Sequence, residues 1–82
     1  MITGLQIRCA RAAIKLSIES LAEMSGVSSR TIKRMEAYDG QPSSTRANIS
    51  AVKTCLESAG IEFIGTPDDG PGVRIYTASP KP

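Results

Sequence analysis

The sequence predicts a mainly α domain, four helices closed by a C-terminal β-hairpin. Three observations lead to that reading. Apolar residues recur at steps of three and four along the first sixty positions, hydroxyl residues stand where successive helices would begin, and short β-branched runs appear only after Gly60. Eighty-two residues make one domain, which on folding hides roughly 60 to 65% of the surface its unfolded chain exposes. With 40% apolar residues but no Trp, one Phe and two Tyr, the core must be aliphatic.

In residues 4–16 the set Leu5, Cys9, Ala12, Ala13 and Leu16 has helical spacing and is expected to form the buried stripe of a first helix. Arg8, Arg11 and Lys15 share another face as a basic ridge, either solvated or turned to an anionic partner. Ser17 can cap a second helix reaching about Met24, and Glu19 suits the positive end of its dipole. Ser25-Gly26-Val27 interrupts the pattern, and Ser28 offers the cap of a third helix that ends near Ala37, before the turn Asp39-Gly40-Gln41-Pro42. A fourth helix over 45–59 should bury Ile49, Val52, Leu56 and Ala59 with Cys55 beside them, and Gly60 is a left-handed stop.

Beyond Gly60 the runs Ile61-Glu62-Phe63-Ile64 and Val73-Arg74-Ile75-Tyr76 read as two strands joined by the loop that holds Pro67, Asp68, Asp69, Gly70, Pro71 and Gly72. Alternation lets the face of Ile61 and Phe63 cover the helices and leaves Ile64 and Tyr76 on the other face for a partner, the competing explanation being that both faces complete the core of a monomer. The expected organisation is therefore a helical domain over 1–60, a hairpin over 61–78 as a dimerisation element, and a loose tail over 79–82.

Gly26 explains why a good helical pattern breaks and resumes at once. A helix that stops, turns through a residue of positive φ and restarts crosses its successor at ~90 to 120°, which is a helix-turn-helix. Ala22 supplies the small residue at the crossing. Leu21, Val27, Ile32 and Met35 fall on the inner face, while Ser29, Arg30, Lys33 and Arg34 are left outside.

The stretch LSIESLAEMSGVSSRTIKRMEAYDG, residues 16–40, resembles the lambda-repressor-like, or xenobiotic-response-element type, helix-turn-helix transcription regulators. The shared pattern is leucine-serine, leucine-alanine, glycine-valine-serine, threonine-isoleucine, and an arginine-x-glutamate before a turn. The resemblance implies a four-helix lambda-repressor-like domain, with base-reading positions on Ser29, Arg30 and Arg34 and Glu36 turned towards Arg8 or Arg11. Two departures stand out. Ile18 replaces the glutamine that commonly follows the capping serine and holds a phosphate, and the hairpin takes the place of a fifth helix.

The residues themselves support a nucleic-acid reading. An α-helix fits the major groove of B-DNA, and in such motifs the N-terminal part of the second helix of the pair meets the base edges. Arg30 can offer two parallel N–H groups to a guanine, whereas phosphates are held by Lys, Arg, hydroxyls and helix N-termini. The phosphate candidates are Ser17, Ser28, Thr31, Lys33, Gln41, Ser43, Ser44 and Arg46. For the loop members, turn chemistry and capping of the fourth helix is the competing explanation.

Charge favours the same side of the chain. Residues 1–53 carry eight basic against four acidic residues, a net +4, and residues 54–82 two against four, a net −2. The expected function is a sequence-specific double-stranded DNA-binding transcriptional repressor acting as a homodimer. The alternative is a protein-interaction or antitoxin-type helix-turn-helix module with little DNA binding of its own. An enzyme is disfavoured because the chain has no His, no nucleophile-base pair and no phosphate-cradling loop. Cys9 and Cys55 are expected to be reduced core residues, and no metal or cofactor is expected. Without an apolar leader or a run approaching ~20 apolar residues, the protein is expected to be soluble and cytoplasmic, with no membrane partner.

Overall fold

The computed structural model describes residues 2–76, so the expected tail over 79–82 and the last two positions of the expected hairpin lie outside the described residues. Four helices are followed by one antiparallel hairpin: α1 (Gly4–Ala13), α2 (Ile18–Ser25), α3 (Ser29–Glu36), α4 (Arg46–Ser58), β1 (Ile61–Thr66) and β2 (Asp69–Ile75). The architecture is the predicted one. Its core is aliphatic, formed by Ile2, Ile7, Ala10, Leu21, Val27, Ile32, Met35, Ile49, Val52, Leu56 and Ile61.

Each helix starts on a hydroxyl. Thr3 caps α1 and, with Gln6, forms a reciprocal capping box; Ser17, Ser28 and Thr45 accept from Ser20 N, Thr31 N and Asn48 N. Such caps typically contribute ~1 kcal/mol each, by satisfying amides that the helix leaves without partners.

The face of α1 differs from the expected one. Leu5, Cys9, Ala12 and Ala13 are exposed, whereas Gln6, Ile7 and Ala10 are buried and Ile14 packs on the core. Two stripes of helical spacing compete on this short helix, and the larger β-branched side chains Ile7 and Ile14 take the interior. The helix also ends before Leu16. Leu16 N donates to Arg11 O and Lys15 N to Ala12 O, the paired bonds of a Schellman stop, with Lys15 in the left-handed conformation at φ 55°. At the far end of α4, Ala59 is exposed instead of buried.

Gly4 joins α1 to α3 by direct backbone contact. A Cβ there would lie 2.0 Å from Tyr38 O and 2.2 Å from Met35 O, and Gly4 N donates to Gly40 O at 2.9 Å. Only a residue without a side chain permits that approach.

The hairpin is longer than the runs suggested, with Ile61 facing Ile75, Glu62 facing Arg74, Phe63 facing Val73 and Ile64 facing Gly72. Gly70, Pro71 and Gly72 belong to β2 and not to a loop. A register shift between Ile64 and Thr66 absorbs Gly65, and Pro71 is tolerated because its missing N–H faces away from β1. Gln6 Nε2 donates to Ile64 O at 3.0 Å and to Gly72 O at 2.8 Å, tying the hairpin to the start of α1. On the outer face, Glu62 accepts from Arg74 and from the Tyr76 hydroxyl at 2.6 Å, while half-buried Ile64 lies over Gly72.

Candidate nucleic-acid interface

The turn between α2 and α3 is the one read from the sequence. Gly26 sits at φ 77°, ψ 9°, with its N–H on Ala22 O at 2.9 Å, and a Cβ placed on it would meet nothing within 4 Å. The glycine is therefore required by backbone conformation and not by crowding. Leu21, Val27, Ile32 and Met35 lie in the core, with Ala22 packed against it. Ile18, at the position of the departure, packs against the core too, so it fills space instead of offering a polar group.

The opposite face of α3 is open. Arg30, Lys33 and Arg34 are exposed, and Ser29 and Thr31 half-buried. Ser28 Oγ accepts from Thr31 N at 3.2 Å and donates to Thr31 Oγ1 at 2.9 Å, which leaves the Thr31 hydroxyl hydrogen free for an outside acceptor.

An open cleft of about 400 Å³ runs beside α3, lined by Thr31 and Arg34 on one wall and by Ser43, Ser44, Thr45 and Asn48 on the other. It brings together four of the residues singled out in the sequence and adds two, Thr45 and Asn48, that were not. The signal for them was present in the Thr-x-x-Asn spacing that starts α4, which places the cap and the residue it caps on one side of the helix. Gln41 is exposed outside this cleft, and Ser17 is exposed at the start of α2. Arg46 also lies elsewhere, in a recess with Ile2, Ile49, Ser50 and Lys53.

Ion pairing divides the cations into two groups. Arg11 forms a two-pronged bond to buried Glu36, at 2.8 and 2.9 Å, and donates to Leu16 O; the bond to Glu36 is the main reason its pKa is raised. Arg8 donates to Glu36 O and to Asp39, Lys53 lies near Glu57, and Arg74 pairs with Glu62. Two members of the expected basic ridge, Arg8 and Arg11, are thus fastenings between α1 and the end of α3. Arg30, Lys33, Arg34 and Arg46, with Lys15, carry no ion pair among the described residues. Neither α3 nor α4 has an acidic residue in its first turn, so the positive ends of both helix dipoles are uncompensated by side chains.

The family model described as helix-turn-helix matches residues 7–48, just over half of the chain, and covers most of α1, then α2, the Gly26 turn, α3 and the start of α4. The chain belongs to the helix-turn-helix family. Its lambda-repressor-like character agrees with the resemblance seen in residues 16–40. No curated protein matches the chain. As a member of this family it carries a DNA-binding helix-turn-helix of the kind used in transcription regulation, and the family is one of regulatory domains, not of enzymes. The hairpin lies beyond the matched residues, so its role must be argued from its own geometry. Among the described residues no helix is long and apolar enough to cross a membrane.

Proposed function

We propose that this helix-turn-helix protein is a sequence-specific transcriptional repressor that binds double-stranded DNA as a homodimer, each protomer setting α3 in a major groove. The observation that carries the reading is the distribution of unpaired charge: Arg30, Lys33 and Arg34 share the exposed face of α3. Ser29, Arg30 and Arg34 read base edges, with Arg30, near the helix start, best placed for the two-pronged contact to guanine. Thr31, Ser43 and Ser44 in the cleft, Ser28 and Lys33 along α3, and Ser17, Gln41 and Arg46 away from the cleft hold phosphates and fix the register. Repression then needs only occupancy, because a domain seated in the groove excludes another protein from the same base pairs. One such helix reads only a few base pairs, and two protomers on half-sites about one helical turn apart supply the rest.

The test begins with an operator selected from random duplexes, against which wild type, Arg30→Ala and Arg46→Ala are titrated with every single-base variant. Arg30→Ala should lose ~1–3 kcal/mol and relax preference at one base pair, while Arg46→Ala should weaken all sequences alike. An even loss across the panel for Arg30→Ala would remove it from the base-reading set.

A further inference from the structure

Each strand of the hairpin turns a row of main-chain groups outward, and on β2 the row has a definite pattern. Tyr76 N donates to Gly60 O at 2.8 Å, so Ile61–Ile75 and Phe63–Val73 are the non-hydrogen-bonded pairs of the ladder, and Glu62–Arg74 is a bonded one. The N–H and C=O of Val73 and Ile75 therefore point away from β1. With two strands in the sheet, this edge of β2 is open among the described residues. β2 is the strand that packs on α1, whose exposed flank carries Leu5, Cys9 and Ala12. Ile75, on the helix-facing side of the sheet, is nevertheless 42% exposed, and Leu5 is 38% exposed.

We propose that this edge of β2, with the neighbouring flank of α1, is where a second copy of the same chain docks, making a four-stranded antiparallel sheet about a two-fold axis. The proposal rests on the two-protomer reading above and adds the surface. The charges choose the register. If the axis passed beside Arg74, the two Arg74 side chains would lie directly opposite each other, an unfavourable like-charge pair. With the axis beside Val73, Arg74 faces the partner's Gly72, which presents no side chain, and each guanidinium arrives already matched to its own Glu62 at 3.2 Å.

The Val73-centred register also fits the sequence of the edge. Val73 exchanges both of its bonds with the partner's Val73, and Ile75 N–H meets the partner's Pro71 C=O. The N–H that Pro71 lacks is at the end of the new ladder, where its loss costs least. Leu5, Cys9 and Ala12 bring no charge to the seam, so two α1 helices can face each other beneath the sheet without repulsion. An open edge strand is an aggregation hazard, and pairing β2 with a second copy closes one of the two edges of each hairpin and builds the dimer in one step.

Two variants test this without touching α3. Ile75→Pro removes an outward N–H that β1 does not use, and Cys9→Glu places a charge on the exposed flank of α1. Sedimentation equilibrium gives the oligomeric state, thermal melts establish folding, and titration uses both a palindromic duplex and an isolated half-site. The expected result is a dimeric wild type and two folded, monomeric variants with unchanged half-site affinity. On the palindrome they should bind about tenfold weaker or worse, the loss expected when a short hydrogen-bonded edge is removed. Folded variants that stay dimeric and hold the palindrome as tightly as wild type overturn the β2 surface and leave the two-protomer reading standing. A wild type that is monomeric and occupies the two half-sites independently overturns both.

Discussion

Replacing Gly4 by alanine sets two well-calibrated effects against each other. Helix propensity favours alanine over glycine by up to ~1 kcal/mol in a helix interior, and by less in the first turn. Contact opposes it: the new Cβ would sit 2.0 Å from Tyr38 O and 2.2 Å from Met35 O, where a carbon and a carbonyl oxygen normally come no closer than ~3.3 Å. To make room, the start of α1 must move from the end of α3 by about 1 Å, stretching the Gly4 N–Gly40 O bond and disturbing the Arg8 bonds to Glu36 O and Asp39. Overfilling a core where side chains can give way costs ~1–3 kcal/mol, and here both obstacles are backbone.

The expected net loss is therefore ~2–3 kcal/mol, a drop in Tm of roughly 10–20 °C for a domain of this size. Gly26→Ala is the matched control, since its Cβ meets nothing and only the left-handed conformation penalises it, by ~1–2 kcal/mol. Thermal melts of the three proteins at one concentration decide the matter. A Gly4→Ala protein that melts at or above the wild-type temperature would show that propensity wins and that α1 does not press on the end of α3.

Three further outcomes follow from single contacts. Lys15→Gly should raise stability by ~1 kcal/mol, because a left-handed residue with a side chain at the end of α1 is replaced by one without that penalty; denaturant midpoints measure it, and a fall would mean the left-handed stop is absent. Gln6→Glu keeps the acceptor for Thr3 N but loses both donors to Ile64 O and Gly72 O and sets a carboxylate against them; a loss of ~1–3 kcal/mol is expected, with amide exchange accelerated first in the hairpin. Cys9 is exposed on the single protomer, whereas burial raises the Cys55 pKa and withholds the reactive thiolate, so mass spectrometry after brief alkylation of the monomeric Ile75→Pro variant should find Cys9 modified well before Cys55; equal rates there would contradict the packing of α4.

Strong local signals make the elements they mark legible in the sequence. Ser17 and Ser28 cap the helices they were assigned, and Gly26 turns where positive φ was required. Gly60, at φ 102°, follows α4 as expected. What escaped the sequence was decided by contacts between distant segments. Periodicity alone does not rank Ile7 above Cys9 for the interior of α1; side-chain size favours Ile7, and the fit against the hairpin and α3 completes the choice. Lys15 gave no sign of ending a helix, since the usual signal is glycine. Gly4 looked like an ordinary helix start, and its importance appears only when Tyr38 and Met35 are beside it. At the interface, the outer face of α3 was readable from periodicity alone. The meeting of Thr31 and Arg34 with Ser43, Ser44, Thr45 and Asn48 depends on how the chain returns after Pro42, and no spacing rule encodes that path.

The charge pattern of α3 ties these pieces to function. Arg30 and Arg34 are four residues apart on one exposed face, an arrangement that destabilises an isolated helix by ~0.2–0.5 kcal/mol. An acid on the same face would relieve it, and Glu36 is the helix's one acid, but it is 6% exposed and turned inward to Arg11. That carboxylate stands near the negative end of the α3 dipole, where it is disfavoured unless cations from α1 meet it. Arg11 does so, while Arg8 holds the Glu36 carbonyl and Asp39, so the acids at the end of α3 are drawn to the α1 side and the charges left on its outer face are all basic. The paired charges thus fasten α1 to the end of α3, and the unpaired ones stand where no acid among the described residues neutralises them. A polyanion lying along α3 relieves the Arg30–Arg34 repulsion and meets the uncompensated N-termini of α3 and α4 in the same contact.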